Sequence, residues 1–530
     1  MNPRVRLRSE IPLKDILFSF SLANLFFVRV WYLLFVHARK ANNYFQKEPP
    51  PTNHFVALII DMFLLAAVIW CGKTLLKRLQ TEPLRLLGIW IFFVGLWIPL
   101  GSVCKILSWN GIHWMHYLDL DYLSSECNPY AAALAISFSC AITLALLVRC
   151  REAVFNGLRA FVIIMFPLFL MTLAQAVWYP CVNLANLTRE ETKIRSATHL
   201  SPNEPTEIPR VLWLLFDEMD YEKAFLMRPG NNCIPAISQF AQESFCATQA
   251  FPPAGTTLKS MPSLFTGRKV SAASAIGTDV LMITYAGEQA SHKWKQQVNV
   301  FSETKKLGGT TRLYGWYHPY GRILGQDLDE CFWLSGQAYP VLSLSGTMVK
   351  YFGALKNNNF LPDSPLASKQ HHIELFNQIH DAALQAISEI PPGLTFIHFP
   401  VPHPPYIYDR SKESISSSST PEYFDNLTLA DRTFGELRSG MVKSGSWKNT
   451  IIILTSDHWS KDKEKGNSQW DRRVPFIIKM NSPAKAIAYE KPFNTVVTKD
   501  LILALLRREI ANYDDLSAWL DTHGGNWEPV

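Results

Sequence analysis

No Cys-x-x-Cys pair occurs in the 530 residues, which argues against a thiolate zinc site and a thioredoxin-like redox motif. No stripe of Lys and Arg interleaved with aromatics is present, so no nucleic-acid partner is expected. There is no internal repeat, which removes solenoid architectures. No cleavable signal peptide is expected: the first apolar run is too long for one, and further runs follow it. Long apolar runs are themselves scarce after Pro180.

Before Pro180 they are abundant. They fall at Leu13–Phe35, Phe55–Leu75, Leu84–Leu107, Tyr130–Val148 and Leu158–Trp178. Each reaches roughly the 20 residues needed to cross a hydrocarbon core of about 30 Å. The first contains Arg29, a charge that belongs against other helices or at an interface. Basic residues cluster at the N-terminus (Arg4, Arg6, Arg8, Lys14), around the second connection (Lys77, Arg78, Arg85) and around the fourth (Arg149, Arg151, Arg159). The connection 108–129 has Asp119, Asp121 and Glu126 and no Lys or Arg, while the first connection is mixed, with Arg39, Lys40 and Lys47. Positive charge marks the cytoplasmic side. The expectation is a multi-pass protein of the inner (plasma) membrane, with a cytoplasmic N-terminus and everything beyond Pro180 periplasmic or otherwise extracytoplasmic. The net charge of +6 mostly reflects this topology. Cys127, Cys181, Cys233, Cys246 and Cys331 would then face a compartment where disulfides persist, with connectivity open.

The remaining two-thirds change character. Residues 181–209 are polar and read as a linker. From 210 to 530, strand-like runs ("RVLWLLFDE", "GLTFIHFPVPH", "NTIIILTSDH", "RVPFIIKM") alternate with helical patterns ("CIPAISQFAQESF", "NLTLADRTFGELRSGMV"). Such alternation predicts an α/β domain with a mostly parallel central sheet, following a membrane domain of five transmembrane helices over 1–180.

Several of these strands stop at potential metal ligands: Asp217 with Glu218, His398 with His403, and Asp457 with His458. A lone Asp-His pair at a strand end is usually just where a strand stops. Three such endings point to a divalent metal, because open α/β sheets gather chemistry at the carboxyl ends of their strands.

Four pieces resemble the alkaline phosphatase and sulfatase superfamily, and in particular membrane-anchored phosphoethanolamine transferases and lipoteichoic-acid-synthase-like phosphoglycerol transferases. They are "VLWLLFDE", "AGTTLKSMPSLFTGR", "HFPVPHPPY" and the stretch from "NLTLADRTF" through "IIILTSDHW", with "RRVPFIIK" after it. The resemblance implies five spans followed by an extracytoplasmic α/β domain, so it covers nearly the whole chain. It also implies a threonine nucleophile. Aligned on "LFTGR" the nucleophile is Thr257; aligned on the Gly-Thr pair it is Thr256. The other hydroxyl is free to cap the following helix. A Thr hydroxyl is a poor nucleophile at neutral pH, and metal coordination corrects that. Asp217, Asp457 and His458 would complete the ligand set, with Glu218 as a second carboxylate ligand or a solvated acid. His398 and His403 would bind substrate phosphate or protonate the leaving group.

Two departures from the family pattern narrow the reading. Sulfatases place a cysteine in Cys-x-Pro-x-Arg, whereas "TLKSM" stands here. Two-zinc relatives carry an Asp four residues before the histidine at 403, where this chain has Phe399. One divalent ion is therefore expected, Zn2+ or Mn2+ with Zn2+ favoured. Lys259, Arg268, Arg322 and Lys465 are weaker anion-binding candidates, and "WYHPYGR" (316–322) is a candidate pocket lining.

The function expected is transfer of a phosphoethanolamine- or phosphoglycerol-like group from a phospholipid donor to a surface glycan or glycolipid through a threonine-linked intermediate, by a monomer. The alternatives are a phosphodiesterase or atypical sulfatase on the same scaffold, and a non-catalytic membrane scaffold.

Overall fold

The computed structural model describes residues 13–35, 44, 52–79, 82–109, 149–179, 208–227, 234–335, 343–357, 365–417, 421–461, 471–481 and 485–525. These fall into two compact units. One is drawn from Met1–Ala38, Pro49–Thr192 and Tyr339–Leu361, the other from Arg39–Glu48, Lys193–Ala338 and Pro362–Val530.

The first unit is helical. Among the described residues three helices are long and apolar enough to cross a membrane: Thr52–Lys77, Glu82–Cys104 and Arg149–Tyr179. The run Leu13–Phe35 is broken at Phe27 into helices Leu13–Phe26 and Val28–Phe35, bent by 62°, and makes a fourth if the pair counts as one span. Tyr130–Val148 lies outside the described residues, so five spans become three or four here. Lys73 and Arg159 reach Asp15 at 2.8 and 3.2 Å, and Lys77 pairs with it too, so three helices share one buried carboxylate. The helix Leu344–Asn357, which the sequence division puts in 210–530, packs in this unit. Its Tyr351 hydroxyl lies 2.7 Å from His54 Nδ1.

The second unit is an α/β domain. Its central sheet has eight strands: β1 Arg210–Phe216, β2 Phe245–Ala247, β3 Thr310–Trp316, β4 Glu330–Leu334, β5 Gly393–Phe399, β6 Thr450–Thr455, β7 Phe476–Lys479 and β8 Ile487–Tyr489. Their order is β8-β2-β7-β6-β1-β5-β3-β4. Every neighbour pairing is parallel except the two that β7 makes.

Both faces of the sheet are covered, which explains why β1 reads as an unbroken apolar run. Successive side chains point to opposite faces. Val211, Trp213 and Leu215 enter one core, and Leu212, Leu214 and Phe216 the other. Trp213 is fully buried, with ring centroids 4.8 Å from Phe396 and 5.8 Å from Phe265. Trp213→Ala is expected to cost about 3–5 kcal/mol through the cavity it leaves. Thermal melting of this unit in the full-length protein measures that loss.

Candidate metal centre

Four adjacent strands, β6-β1-β5-β3, bring their carboxyl ends to one edge of the sheet. Leu215 is in register with Thr455 on one side and His398 on the other. Asp217 and Asp457, two residues further along, therefore emerge at the same level.

Short hydrogen bonds stitch these ends together. Ser456 Oγ accepts from the Met219 N–H at 2.8 Å and donates to the His458 carbonyl at 3.0 Å. The Glu218 N–H donates to Asp457 Oδ1 at 3.2 Å. Glu218 adopts φ 62°, rare for a residue with a side chain, and the Tyr423 hydroxyl donates to its carbonyl at 2.9 Å. Strain of this kind gathers at functional sites.

His458 donates its Nδ1–H to the Trp459 carbonyl at 2.9 Å. Its Nε2 lone pair is thereby turned toward Thr257 Oγ1 at 3.2 Å, Asp457 Oδ2 at 3.3 Å and Asp217 Oδ1 at 3.9 Å. Burial also lowers its pKa and favours the neutral, ligating form.

Thr257 is the first residue of the helix Thr257–Thr266 and is buried, its Oγ1 3.5 Å from Asp217 Oδ1. Thr256 takes the N-cap position in extended backbone, but its side chain makes no capping hydrogen bond, contrary to the sequence expectation. The first turn closes instead on its main-chain carbonyl, which accepts from the Ser260 N–H at 2.8 Å.

Asp217 and Asp457 are both fully buried, and the Oδ2 atom of each has no hydrogen-bond partner among the described residues. Burial, then the charges of Asp457 and Glu218, push the Asp217 carboxyl well above the usual carboxylate range. Acids packed this deep are costly without a countercharge. Ligand atoms of Asp217, Asp457 and His458 lie within 4.8 Å of one another. These orphaned oxygens, the imidazole lone pair and the adjacent hydroxyl fit a divalent cation, and the oxygen and nitrogen donors suit zinc or manganese alike.

Glu218 is not in that triad among the described residues. Its Oε1 lies 3.8 Å from His403 Nε2 instead. His398 Nε2 stands 3.3 Å from Asp217 Oδ2, with Nδ1 3.1 Å from the Tyr320 hydroxyl. Burial lowers His398 to about 3 and His403 to about 4, so both are neutral at pH 7. His403 gives its Nδ1–H to the Pro404 carbonyl, leaving Nε2 free to accept a proton. Phe399 lies in the core, stacked on Phe216 at 5.1 Å.

Other residues of the site carry fainter sequence signals. "WYHPYGR" supplies Trp316, whose ring sits 5.2 Å from His403, Tyr317 at φ 74°, and His318, whose Nε2 is 3.2 Å from the Thr257 carbonyl. Burial lowers His318 to about 3. His372, in a long helix with no motif around it, sits 2.9 Å from the Pro400 carbonyl. Gly255 packs beneath Trp459: a Cβ there would meet the indole at 2.9 Å. Gly255→Ala is expected to tilt Trp459 and with it the carbonyl that holds His458. A displacement of about 1 Å is enough to slow turnover about tenfold or more, read as kcat beside an unchanged melting temperature.

Arg268 pairs with Glu288 and lies over Tyr285, and Arg322 lies over Trp333. Lys465 lies outside the described residues, as do Cys127, Cys181 and Cys233. Among the described residues Cys246 forms no disulfide.

Residues 209–506, more than half of the chain, match the family model described as Sulfatase. The chain belongs to the sulfatase family. With it comes membership of the alkaline phosphatase/sulfatase superfamily. Similar solved structures include the PsFucS1 sulfatase from Pseudoalteromonas sp., at 17% identity and TM-score 0.41, covering 62% of this chain and 71% of that one. The lipoteichoic acid synthase LtaP from Listeria monocytogenes is 12% identical at TM-score 0.36, covering 59% and 77%. The phosphonate monoester hydrolase of Agrobacterium radiobacter is 13% identical at TM-score 0.35, covering 56% and 73%. No curated protein matches the chain in sequence.

Proposed function

We propose that this sulfatase-family protein is an integral membrane, metal-dependent transferase. It moves a phosphoethanolamine- or phosphoglycerol-like group from a phospholipid to a surface glycan or glycolipid through a threonine-linked intermediate. It works as a monomer in the inner membrane, with its N-terminus cytoplasmic and its α/β unit extracytoplasmic. The observation that carries the chemistry is the buried Thr257 hydroxyl, placed beside the lone pair of His458 and two carboxylates with unpartnered oxygens. The apolar helices support a lipid donor, since they hold the chain at a bilayer.

Asp217, Asp457, His458 and Thr257 would hold one Zn2+ or Mn2+. When bound, that ion supplies the positive charge that lowers the hydroxyl pKa and offsets charge on phosphate. Thr257 Oγ1 gives up its proton to solvent and attacks phosphorus, the bond from phosphorus to the lipid-side oxygen breaks, and that oxygen takes up a proton from solvent. The acceptor hydroxyl then gives its proton to His403 Nε2 and attacks phosphorus, the bond from phosphorus to Thr257 Oγ1 breaks, and Oγ1 takes that proton back as the hydroxyl is restored. The helix beginning at Thr257 places positive partial charge beside the phosphate.

The test incubates full-length protein with head-group-labelled phospholipid and divalent metal, quenches, and maps the label by peptide mass spectrometry. The expected result is label on Thr257 that passes to an added glycan or glycolipid acceptor. Free head group formed at an equal rate without acceptor would make the protein a hydrolase. Absence of label from both threonines would remove the covalent route.

A further inference from the structure

Tyr44 stands in the first connection between apolar helices, in a segment that groups with the α/β unit. It is fully buried in one of the two cores flanking the central sheet, together with Trp294, Phe301 and Tyr320. Its hydroxyl lies 2.8 Å from His318 Nδ1, and the two rings meet edge to face at 5.8 Å. His318 is also fully buried, against the Trp294 ring at 4.9 Å. Its other nitrogen, Nε2, is 3.2 Å from the carbonyl of Thr257.

One proton arrangement satisfies this chain. A carbonyl can only accept, so Nε2 carries the hydrogen and Nδ1 presents a lone pair. The Tyr44 hydroxyl must then be the donor to Nδ1. Without that hydroxyl, the buried Nδ1 loses the donor that it has in Tyr44. The Thr257 carbonyl keeps the hydrogen on Nε2 either way, since the other tautomer would turn a lone pair toward it; what is lost is the bond that holds the ring in its orientation.

We propose that Tyr44 is a positioning residue for the nucleophile: its hydroxyl holds the His318 ring from Nδ1, and His318 holds the main chain of Thr257 from Nε2. The Thr257 carbonyl belongs to the first residue of the nucleophile helix, so holding it sets the direction in which Oγ1 leaves the backbone. The role rests on the reading of Thr257 as nucleophile. It makes the α/β unit dependent on a residue encoded before most of the apolar helices. Loss of the contact misplaces Oγ1 without touching bound substrate, so kcat falls and KM does not.

The test uses full-length protein in detergent with 15N-labelled histidine. The His318 resonances are assigned from their absence in His318→Gln. The expected spectrum of the natural protein shows a protonated Nε2 and an unprotonated Nδ1. Tyr44→Phe keeps the ring packing and removes only the hydroxyl. It is expected to keep the tautomer, to move the His318 Nδ1 resonance to that of a lone pair without a donor, and to lower kcat for bis(p-nitrophenyl) phosphate about tenfold, the scale of one buried hydrogen bond, with KM within about twofold and metal content unchanged. Tyr44→Ala is expected to lower the melting temperature as well. A protonated Nδ1 in the natural protein overturns the proposal, as does Tyr44→Phe that leaves either the Nδ1 resonance or kcat unchanged. If the natural protein does not turn over the phosphodiester, the transferase reading fails, and the Nδ1 resonance alone decides the Tyr44 contact.

Discussion

Thr257→Ala is expected to lower turnover about a thousandfold or more while the protein still inserts, folds and carries its membrane helices. The expectation rests on geometry. Thr257 is the threonine whose hydroxyl lies 3.2 Å from His458 Nε2, and Thr256, one residue earlier, is half-buried and makes no side-chain capping bond. The substitution deletes one hydroxyl and one methyl at the start of a helix, a position where alanine costs little. Metal affinity should weaken modestly, because three of four ligands remain. Single-turnover assays with labelled donor separate the outcomes. Thr257→Ser should retain measurable transfer. Equal inactivation by Thr256→Ala, with label on Thr256, would move the nucleophile by one residue.

Chelation is expected to lower the melting temperature of the full-length protein by an amount that grows between pH 5 and pH 8. Two opposite slopes combine. Without metal, burial and the neighbouring acids hold the Asp217 carboxyl well above its ordinary range. The folded chain then binds more protons than the unfolded chain between the ordinary value, about 3.9, and the raised one. Metal-free stability is therefore highest at the acid end and is lost as pH rises through that window. With metal the sign reverses. Ligands must shed protons to bind, so affinity improves as pH rises. Metal at about a thousand times its Kd adds about 4 kcal/mol to the folded state. Melting curves with and without chelator, taken across this range, measure the gap. A gap that is absent or independent of pH would leave Asp217, Asp457 and His458 as the polar ends of two strands. Asp217→Asn should flatten the metal-free slope, since it removes the titrating group.

How much of this was legible beforehand varies with the physics of each part. "VLWLLF" and "TIIILT" could be read as strands because a parallel sheet covered on both faces leaves no room for polar alternation. Their endings, Asp217 and Asp457–His458, were readable because the carboxyl edge is where such a sheet keeps its polar groups. The break at Phe27 was not, since no Pro or Gly marks it and its neighbours Leu25, Phe26 and Val28 are all apolar. Nor was the grouping of Leu344–Asn357 with the helical unit: an amphipathic pattern says that one face is covered but not by what. Asn426, part of a glycosylation-like triplet, is buried, and its side chain accepts from the Ile407 N–H at 2.8 Å. The parts of His318 and Gly255 in the site were hidden for another reason. Each acts through a neighbour distant in sequence, Tyr44 or Trp459, and spacing carries no trace of such pairs.

The strand order also has a temporal side. β1 lies in the middle of the sheet, with Arg210 paired to Gly393 on one flank and to Thr450 on the other. Synthesis at about 5–20 residues per second therefore leaves an extended, wholly apolar hexapeptide waiting on the order of 10 s or more for its first partner. Over that interval it is a bare edge on both sides, open to pairing with other chains. Early arrival of the apolar helices in a bilayer would keep neighbouring copies apart while the waiting strand is exposed. On this view, cells making the α/β unit without its N-terminal helices should accumulate it in inclusion bodies rather than as free, folded protein.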